Sequence, residues 1–377
     1  MVSANLDAAR AARRPAPLIN SEAARVMALM RQNARWARAG QLDMALGEQE
    51  VGEGALFGDL VALRRQLFSW RDFCAVSPVL YLAPFLEVVR SAETSGPITG
   101  AALAAVHKFT SLGLVDSTGA FAADAMHAIV DAVTHCRFEA TDAVADEAVL
   151  VRILQTLSAC VQCGAGQCIS DADMSSIVQA CFRIGHQQDG GLPRRLSCST
   201  LLEIVRCVYA RLETDGGSGS EEGAVASAVA AARAPAEGNG ETAGGGDAQE
   251  DSQQPQTQTE GGAAAPQQQQ EEGAELAPAA EEIFSFMCNL AAHADDEESD
   301  ELPLLGLSLI NAALESCGES VRNAPGLVLL VQTALFPALY RLGLSPNALV
   351  LSQVCSIVFN LYVLIPEHIK TNMETFV

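Results

Sequence analysis

Apolar residues recur at the spacing of α-helices through almost the whole chain, and no stretch shows a convincing period of two. Aromatic residues are only 5% of the chain, so a core must be built from Leu, Val, Ile and Ala, which suit packed helices. The clearest apolar stripe follows Asp146 and Glu147, two acids placed where the dipole of a first helical turn favours them. Its members are Leu150, Ile153, Leu154, Leu157 and Val161. The pattern predicts an all-α fold.

Start and stop signals divide this pattern into helices joined by short loops. Ser21 is a candidate N-cap, Pro78 and Pro97 suit first turns, and Ser170 with Asp173 resembles a capping box. Helices of this length and spacing are typical of armadillo or HEAT stacking, although no strict repeat is visible. The predicted helices cover roughly Ser21–Arg38, Ala55–Ser69, Pro78–Arg90, Pro97–Val115, Ala120–Cys136, Asp146–Gly164, Ser170–Gln187, Pro193–Leu212, Glu281–Ala294, Leu302–Ser316, Gly326–Arg341 and Pro346–Ile365.

Residues 214–280 differ in composition from everything around them. They are mostly Gly, Gln, Ala, Pro and Glu, and they carry twelve acidic residues against one base, Arg233. Such a segment has too few apolar side chains to offset the entropy of ordering, so we predict a disordered linker in which Ala224–Ala232 forms transient helix. The short acidic run Asp295–Glu301 is interpreted as a solvated loop. The chain is therefore expected to form two helical blocks joined by one linker.

The charge and the cysteines limit the classes of function. A net charge of −23 argues against a nucleic-acid partner, because phosphate binding needs a basic face. No apolar segment of a secretory signal follows Met1, and the 11 cysteines lie in helical patterns, as in reduced cytosolic proteins. The first 40 residues instead hold seven arginines against Asp7 and Glu22, so an organellar transit peptide is an alternative for this start.

One group of residues has the side-chain types of a zinc site. Cys160, Cys163, Cys168 and Cys181 lie close in sequence, with His186 nearby. Structural zinc sites, however, usually join two knuckles that are held by turns. Here the first two cysteines lie in a predicted helix and Cys181 lies on the apolar face of the next, so we interpret them as core thiols and expect no metal.

No set of residues predicts catalysis or a cofactor. The six histidines are scattered without a Ser or Cys nucleophile in a recognisable context. The chain contains no P-loop, no GxGxxG after a strand and no HExxH. We therefore expect no catalytic and no cofactor-binding residue. An enzyme with an unrecognised site stays open as an alternative.

Two segments raise the question of a membrane. Residues 342–366 carry no formal charge and are long enough to span a bilayer. Ser352, Ser356 and Asn360 recur every fourth position, however, which favours a buried helix of a soluble protein with one polar face.

The N-terminal helix is the second such segment. Its Arg31, Arg35 and Arg38 share one side. A solvated face explains them, and contact with an anionic membrane surface is the alternative.

Five stretches go beyond periodicity and resemble a known family. The first four are QNARW (Gln32–Trp36), PFLEVVRSAETSGPITGAALAAVHKF (Pro84–Phe109), DAVTHCRFEATDAVADEAVLVRILQTL (Asp131–Leu157) and SSIVQACFRIG (Ser175–Gly185). They resemble the N-terminal dimerisation and cyclophilin-binding domain of the large Arf guanine-nucleotide exchange factors, and most closely the class of the Golgi brefeldin-A-resistance factor and GNOM. The fifth, FSFMCNLAAHADDEESDELPLLGLSLINAALES, resembles the start of the family's homology-upstream-of-Sec-seven domain.

The resemblance implies four segments and a role. Residues 1–20 would be a flexible N-terminus, 21–213 the dimerisation and cyclophilin-binding domain, 214–280 the linker and 281–377 the start of the upstream domain. The Sec-seven domain that acts on Arf would be missing, so the chain would be a natural truncation or a fragment and not itself an enzyme. It would be a cytoplasmic, non-catalytic regulatory and dimerisation region of an exchange factor that acts peripherally at Golgi membranes in vesicle-mediated transport.

The implied partners are a second copy of the chain, the upstream helical domain of the same protein, the Golgi membrane through the full-length protein, and Arf only through the missing domain. A helical-repeat adaptor without a link to Arf is the alternative. Lys108 and Glu147 are the predicted charged interface residues. Lys108 is the only charge between Glu93 and Asp116. It lies among Ala101, Ala104, Ala105 and Leu112, on a helix whose small side chains would let a partner helix approach.

Overall fold

The chain is described by a computed structural model. It covers residues 15–33, 53–70, 73, 75–115, 121–140, 143–187, 191–231, 277–293 and 301–376, with side chains of 53, of 213–278 and of 375–376 excluded. The predicted flexible residues 1–14, most of the predicted linker (232–276), the acidic run at 295–300, and Arg35, Trp36 and Arg38 lie outside these ranges.

Helices account for nearly all of the described residues, and within those ranges the only β contact is an isolated bridge between Ser95 and Glu139. The all-α prediction is confirmed. A first block holds α1 to α8: Pro15–Gln32, Glu53–Gln66, Pro78–Arg90, Gly96–Ser111, Ala122–Thr134, Ala143–Gln162, Asp171–His186 and Leu192–Ala231, with a 3₁₀ turn Gly164–Cys168 after α6. A second block holds α9 to α14: Ala277–Ala292, Glu301–Cys317, Pro325–Leu330, Phe336–Leu342, Ala348–Leu364 and Lys370–Phe376, with a 3₁₀ turn Gly318–Asn323 after α10.

The helices stack mainly on helices that lie close to them in the chain. In the first block α3 packs on α4 and α5, α4 packs on α6, and α5 packs on α7. In the second block α9 packs on α10, and α10 packs on α13. This is the stacked-helix arrangement predicted from helix length and spacing.

The start of the first helix differs from the prediction, which did not consider Pro15 as a first-turn residue. The helix that was predicted to begin at Ser21 begins at Pro15, because proline is well suited to a first turn. Ser21 therefore lies inside α1, where its hydroxyl donates to the carbonyl of Leu18 at 2.8 Å instead of capping the helix. The Ser170 cap is confirmed, since its Oγ accepts from the amide of Asp173.

The predicted continuous helix Gly326–Arg341 is interrupted. A π-helical turn, Val331–Leu335, separates α11 from α12. Pro337 follows directly, and proline removes one amide donor while its ring crowds the carbonyl four residues earlier. The backbone accommodates this by widening for one turn.

α8 extends further than expected. The helix was predicted to end at Leu212, but its backbone continues to Ala231, so the first part of the predicted linker is helical here. Its last turns, Ala224–Ala231, lie in the alanine-rich piece for which transient helix was predicted.

The two blocks are not separate bodies. The described residues of both blocks, up to Leu212 and from Ala277 onwards, belong to one compact unit. Within this unit α7 packs on α9, so the helices of the second block continue the stack of the first.

Candidate functional site

Lys108 lies on α4 and bonds to a carboxylate of its own chain. Its Nζ is 2.6 Å from Oε1 of Glu22, whose side chain is only 8% exposed, and Arg25 lies 4.0 Å from the other oxygen of that carboxylate. The carboxylate of Glu22 is thus removed from most of its water and neutralised by Lys108. Lys108 itself stays about half exposed, so its predicted role at an interface stays a prediction.

Glu147 lies on α6 and serves the start of another helix. Its Oε1 accepts a hydrogen bond of 3.3 Å from the amide of Leu192, the first residue of α8. An acidic group at this place satisfies a free amide and meets the positive end of the helix dipole. The sequence predicted Glu147 as an interface residue and missed this capping contact, since Leu192 lies 45 positions away.

The small side chains of α4 do not form an outer face. Ala101 and Ala105 are buried, at 5% and 0% exposure, because α4 packs closely against α6 and α3. Leu112, at the end of the helix, is 49% exposed. The close approach that these alanines allow is therefore used within the chain, by its own neighbouring helices.

The contact between the two blocks is built by α7, α8 and α9. The rings of Phe182 and Phe286 meet edge to face with centroids 5.4 Å apart. Ser175 donates to Glu282 at 2.6 Å, and the fully buried Tyr209 donates to the carbonyl of Ala280 at 2.7 Å. Burial raises the pKa of Tyr209 well above its ordinary value, so its hydroxyl remains a donor. We call these residues the block interface.

A cleft of about 330 Å³ opens beside the block interface. Phe182, Leu201 and Leu305 make its walls apolar, and Arg194 of α8 pairs with Glu301 of α10 at its edge. Sequence reasoning did not find the interface or the cleft, because each of these side chains taken alone has the pattern of an ordinary core or surface residue.

Two of the four cysteines that were interpreted as core thiols lie in the core. Cys160 and Cys181 are completely buried, and burial raises the pKa of Cys181 to about 12, which keeps it a thiol instead of a metal-binding thiolate. His186 stacks on Phe182 with nearly parallel rings. Within the described ranges no group of three or more His, Cys, Asp or Glu side chains is close enough to hold a metal ion.

One His–Asp–Ser contact resembles a catalytic group in composition only. Nδ1 of His127 lies 3.0 Å from both carboxylate oxygens of Asp173, and the hydroxyl of Ser170 donates to the same carboxylate. In a triad the serine must instead contact the imidazole that takes its proton. Ser170 caps α7, and His127 ties α5 to it.

The uncharged helix α13 packs on α10 through Val350, Val354 and Ile357. Its predicted polar stripe has a partner, because Ser356 and Asn360 both donate to Oδ1 of Asn311 on α10.

A helical stretch of the described residues passes the length and composition test for a membrane span. It is Pro325–Leu342, which contains the π turn, and 44% of it is buried. Core helices of soluble proteins pass the same test.

Arg31 is the one member of the predicted basic stripe that the described ranges include. Its guanidinium lies over the ring of Phe57 on α2, 5.2 Å from the centroid, so it joins α1 to α2.

Two parts of the chain match domain families. Residues 74–216 match the Mon2/Sec7/BIG1-like dimerisation and cyclophilin-binding domain, and residues 276–377 match the Mon2/Sec7/BIG1-like HUS domain. Neither of these is the Sec7 catalytic domain.

Two curated relatives match nearly the whole chain, and a third matches part of it. The chain is 37% identical to the ARF guanine-nucleotide exchange factor GNOM and 34% identical to GNL1, both of Arabidopsis thaliana, over 95% and 96% of its length. It is also 37% identical to a Golgi-specific brefeldin A-resistance guanine nucleotide exchange factor 1 homolog of Caenorhabditis elegans, over 42% of its length. The chain spans only 27% of each of the two Arabidopsis proteins and 8% of the third.

Proposed function

The chain belongs to the large Arf guanine-nucleotide exchange factors, as an N-terminal part of a GNOM-class member, and from this premise we propose that it is their non-catalytic regulatory and dimerisation region. Its two domains are regulatory domains of such factors. We further propose a cytoplasmic protein, peripheral at Golgi membranes, that takes part in vesicle-mediated transport. The name of the Caenorhabditis elegans relative, Golgi-specific, supports the compartment.

The block interface is the observation that carries the regulatory role. The two matched domains meet through a buried tyrosine hydroxyl, an aromatic pair and a hydrogen bond from a serine to a carboxylate. A movement of one domain would therefore have to break these contacts or move the other domain with it. In a longer protein, whatever follows the second block would be held relative to the first through this contact. A helical-repeat adaptor unrelated to Arf does not account for the matches to these two domain families.

The partners of this proposal are a second copy of the chain, bound through the first block, and the second block of the same protein. Arf would be met only through a catalytic domain that neither matched family represents.

The proposal predicts that the purified chain does not accelerate nucleotide exchange. Release of a fluorescent GDP from Arf should proceed at the spontaneous rate at every concentration of the chain, while full-length GNOM as a positive control accelerates it. Dose-dependent acceleration by the chain alone would contradict the non-catalytic assignment. A fluorescent fusion in plant cells tests the compartment, and a label that stays diffuse beside a Golgi marker would count against it.

A further inference from the structure

The first block carries an open basic depression of about 340 Å³ between α1 and α2. Val61, Arg64 and Arg65 of α2 line it, together with Phe68 in the turn that follows and Asn20 of α1. Spacings of three, four and seven residues from Val61 put these side chains on one side of the helix. We call this the Arg64–Phe68 surface.

The two arginines are presented differently. Nε of Arg64 donates to Oδ1 of Asn20 at 2.8 Å, and its Nη1 lies 4.0 Å from the sulfur of Met27. The guanidinium is thereby held in place with Nη2 unbonded in the described structure. Arg65 forms no hydrogen bond or ion pair with any described residue. Both arginines line the same depression, and the guanidinium is a side-chain group that binds phosphate oxygens through its N–H donors.

Phe68 adds an apolar element to this basic surface. Its ring is 66% exposed, whereas its neighbour Leu67 is fully buried. The ring is therefore exposed to water in the same depression as the two guanidinium groups. The combination of cationic and aromatic side chains is typical of surfaces that lie in the headgroup region of a bilayer.

The depression holds two arginines, although the whole chain carries a net charge of −23. Two described acids near these arginines in sequence or space are placed elsewhere. Glu22 is bound by Lys108, and Asp59 lies five and six residues before the arginines, on another side of α2. An acidic protein can approach an anionic membrane only through such a basic region.

We propose that the Arg64–Phe68 surface binds an anionic phospholipid membrane, with Arg64 and Arg65 on a headgroup phosphate and Phe68 in the interface. The inference rests on the proposed function for the expectation that the protein works at a membrane, and it adds the surface and the lipid chemistry. An acidic peptide would also suit the arginines. The open shape and the exposed ring favour a bilayer.

Vesicle flotation with the purified full chain tests the proposal. Vesicles of phosphatidylcholine alone are compared with vesicles that also contain phosphatidylserine or a phosphatidylinositol monophosphate. Binding to the anionic vesicles should exceed binding to the neutral ones and fall with added salt, since exposed charges are screened within about 10 Å at 0.1 M. Arg65→Glu with Phe68→Ala should weaken binding about tenfold or more, since each basic residue near the membrane contributes about fivefold.

Arg206→Glu with Leu329→Ala is the matched control, because it makes the same charge change and removes one exposed apolar side chain elsewhere. It should bind like wild type, with helical circular dichroism equal in all three proteins. The proposal would be overturned if the wild-type protein did not prefer anionic vesicles. It would also be overturned if both double variants lost vesicle binding to the same extent. The proposal would also be overturned if polyglutamate displaced the protein from the vesicles and Phe68→Ala alone did not change vesicle binding. That pair of results would indicate an acidic peptide as the ligand. None of these results depends on Arf or on the exchange assay, so the proposed function is judged separately.

Discussion

At the scale of single residues, Gly306 determines how closely α9 and α10 pack. A Cβ added there would lie 2.6 Å from the amide nitrogen of Ala291 and 3.0 Å from the carbonyl oxygen of Met287. Both are backbone atoms, which cannot turn away as a side chain would. Gly306→Ala should therefore lower the free energy of unfolding by about 1–3 kcal/mol, in spite of the better helix propensity of alanine.

Gly58→Ala is the control for this prediction. Gly58 also lies within a helix, α2, but a Cβ there has nothing within 4 Å. Alanine should raise the free energy of unfolding by about 0.5–1 kcal/mol, because glycine loses more conformational freedom on folding. Urea unfolding followed by circular dichroism measures both variants. Two shifts of the same sign would contradict the packing argument.

Local signals were sufficient where a residue acts on its own helix. Pro78 and Pro97 were placed correctly in first turns, and Ser170 was identified correctly as a cap. Glu22 could not be found this way, because the carboxylate gains its partner from a lysine 86 residues further on. The Arg64–Phe68 surface depends in the same way on Asn20, which comes near only when α1 packs on α2.

At the scale of helices, the sequence predicted the elements and their packing class, and it missed how the blocks meet. Periodicity reports which face of a helix is buried and says nothing of the helix that covers it. Phe182 and Tyr209 lie on apolar faces that their own block could have covered. They are covered instead by Phe286 and Ala280 of the second block, more than 60 residues away.

The block interface should hold the two blocks together without a covalent connection. A specific protease site inserted between 240 and 270 would separate the chain into two pieces, which we expect to co-elute in gel filtration. Tyr209→Phe with Phe286→Ala should release them. The first change removes the hydrogen bond to the carbonyl of Ala280, worth about 0.5–1.5 kcal/mol, and the second removes the aromatic pair.

The control places the same two chemical changes on exposed positions of α13. Phe359 and Tyr362 are 66% and 61% exposed, so Phe359→Ala with Tyr362→Phe should leave the pieces associated. Pieces that separate in the wild-type protein would show that the linker, and not the interface, holds the blocks together.

At the scale of the whole molecule, self-association has to be measured on the full chain. A fragment ending at 213 would expose Phe182 and Tyr209, which the second block covers here, and it could associate through that artificial surface. The positions of Lys108 and Glu147 add a second requirement. Each has a partner in its own chain, so a change of charge there also removes a contact within the chain.

We expect the full chain to be a dimer at tens of micromolar in light scattering, and Lys108→Met with Glu147→Gln to shift it toward monomer. An exposed ion pair contributes about 0.2–1 kcal/mol, so removing each intermolecular ion pair should raise the dissociation constant by up to about fivefold. Glu22→Gln is the control, since it breaks the intrachain pair with Lys108 and leaves the lysine charge for a partner. A dimer that persists in the double variant would exclude these two residues, and a monomeric wild type would exclude self-association. If Glu22→Gln weakens the dimer as much as the double variant does, Lys108 acts by holding α1 against α4, because only that ion pair is broken by both changes.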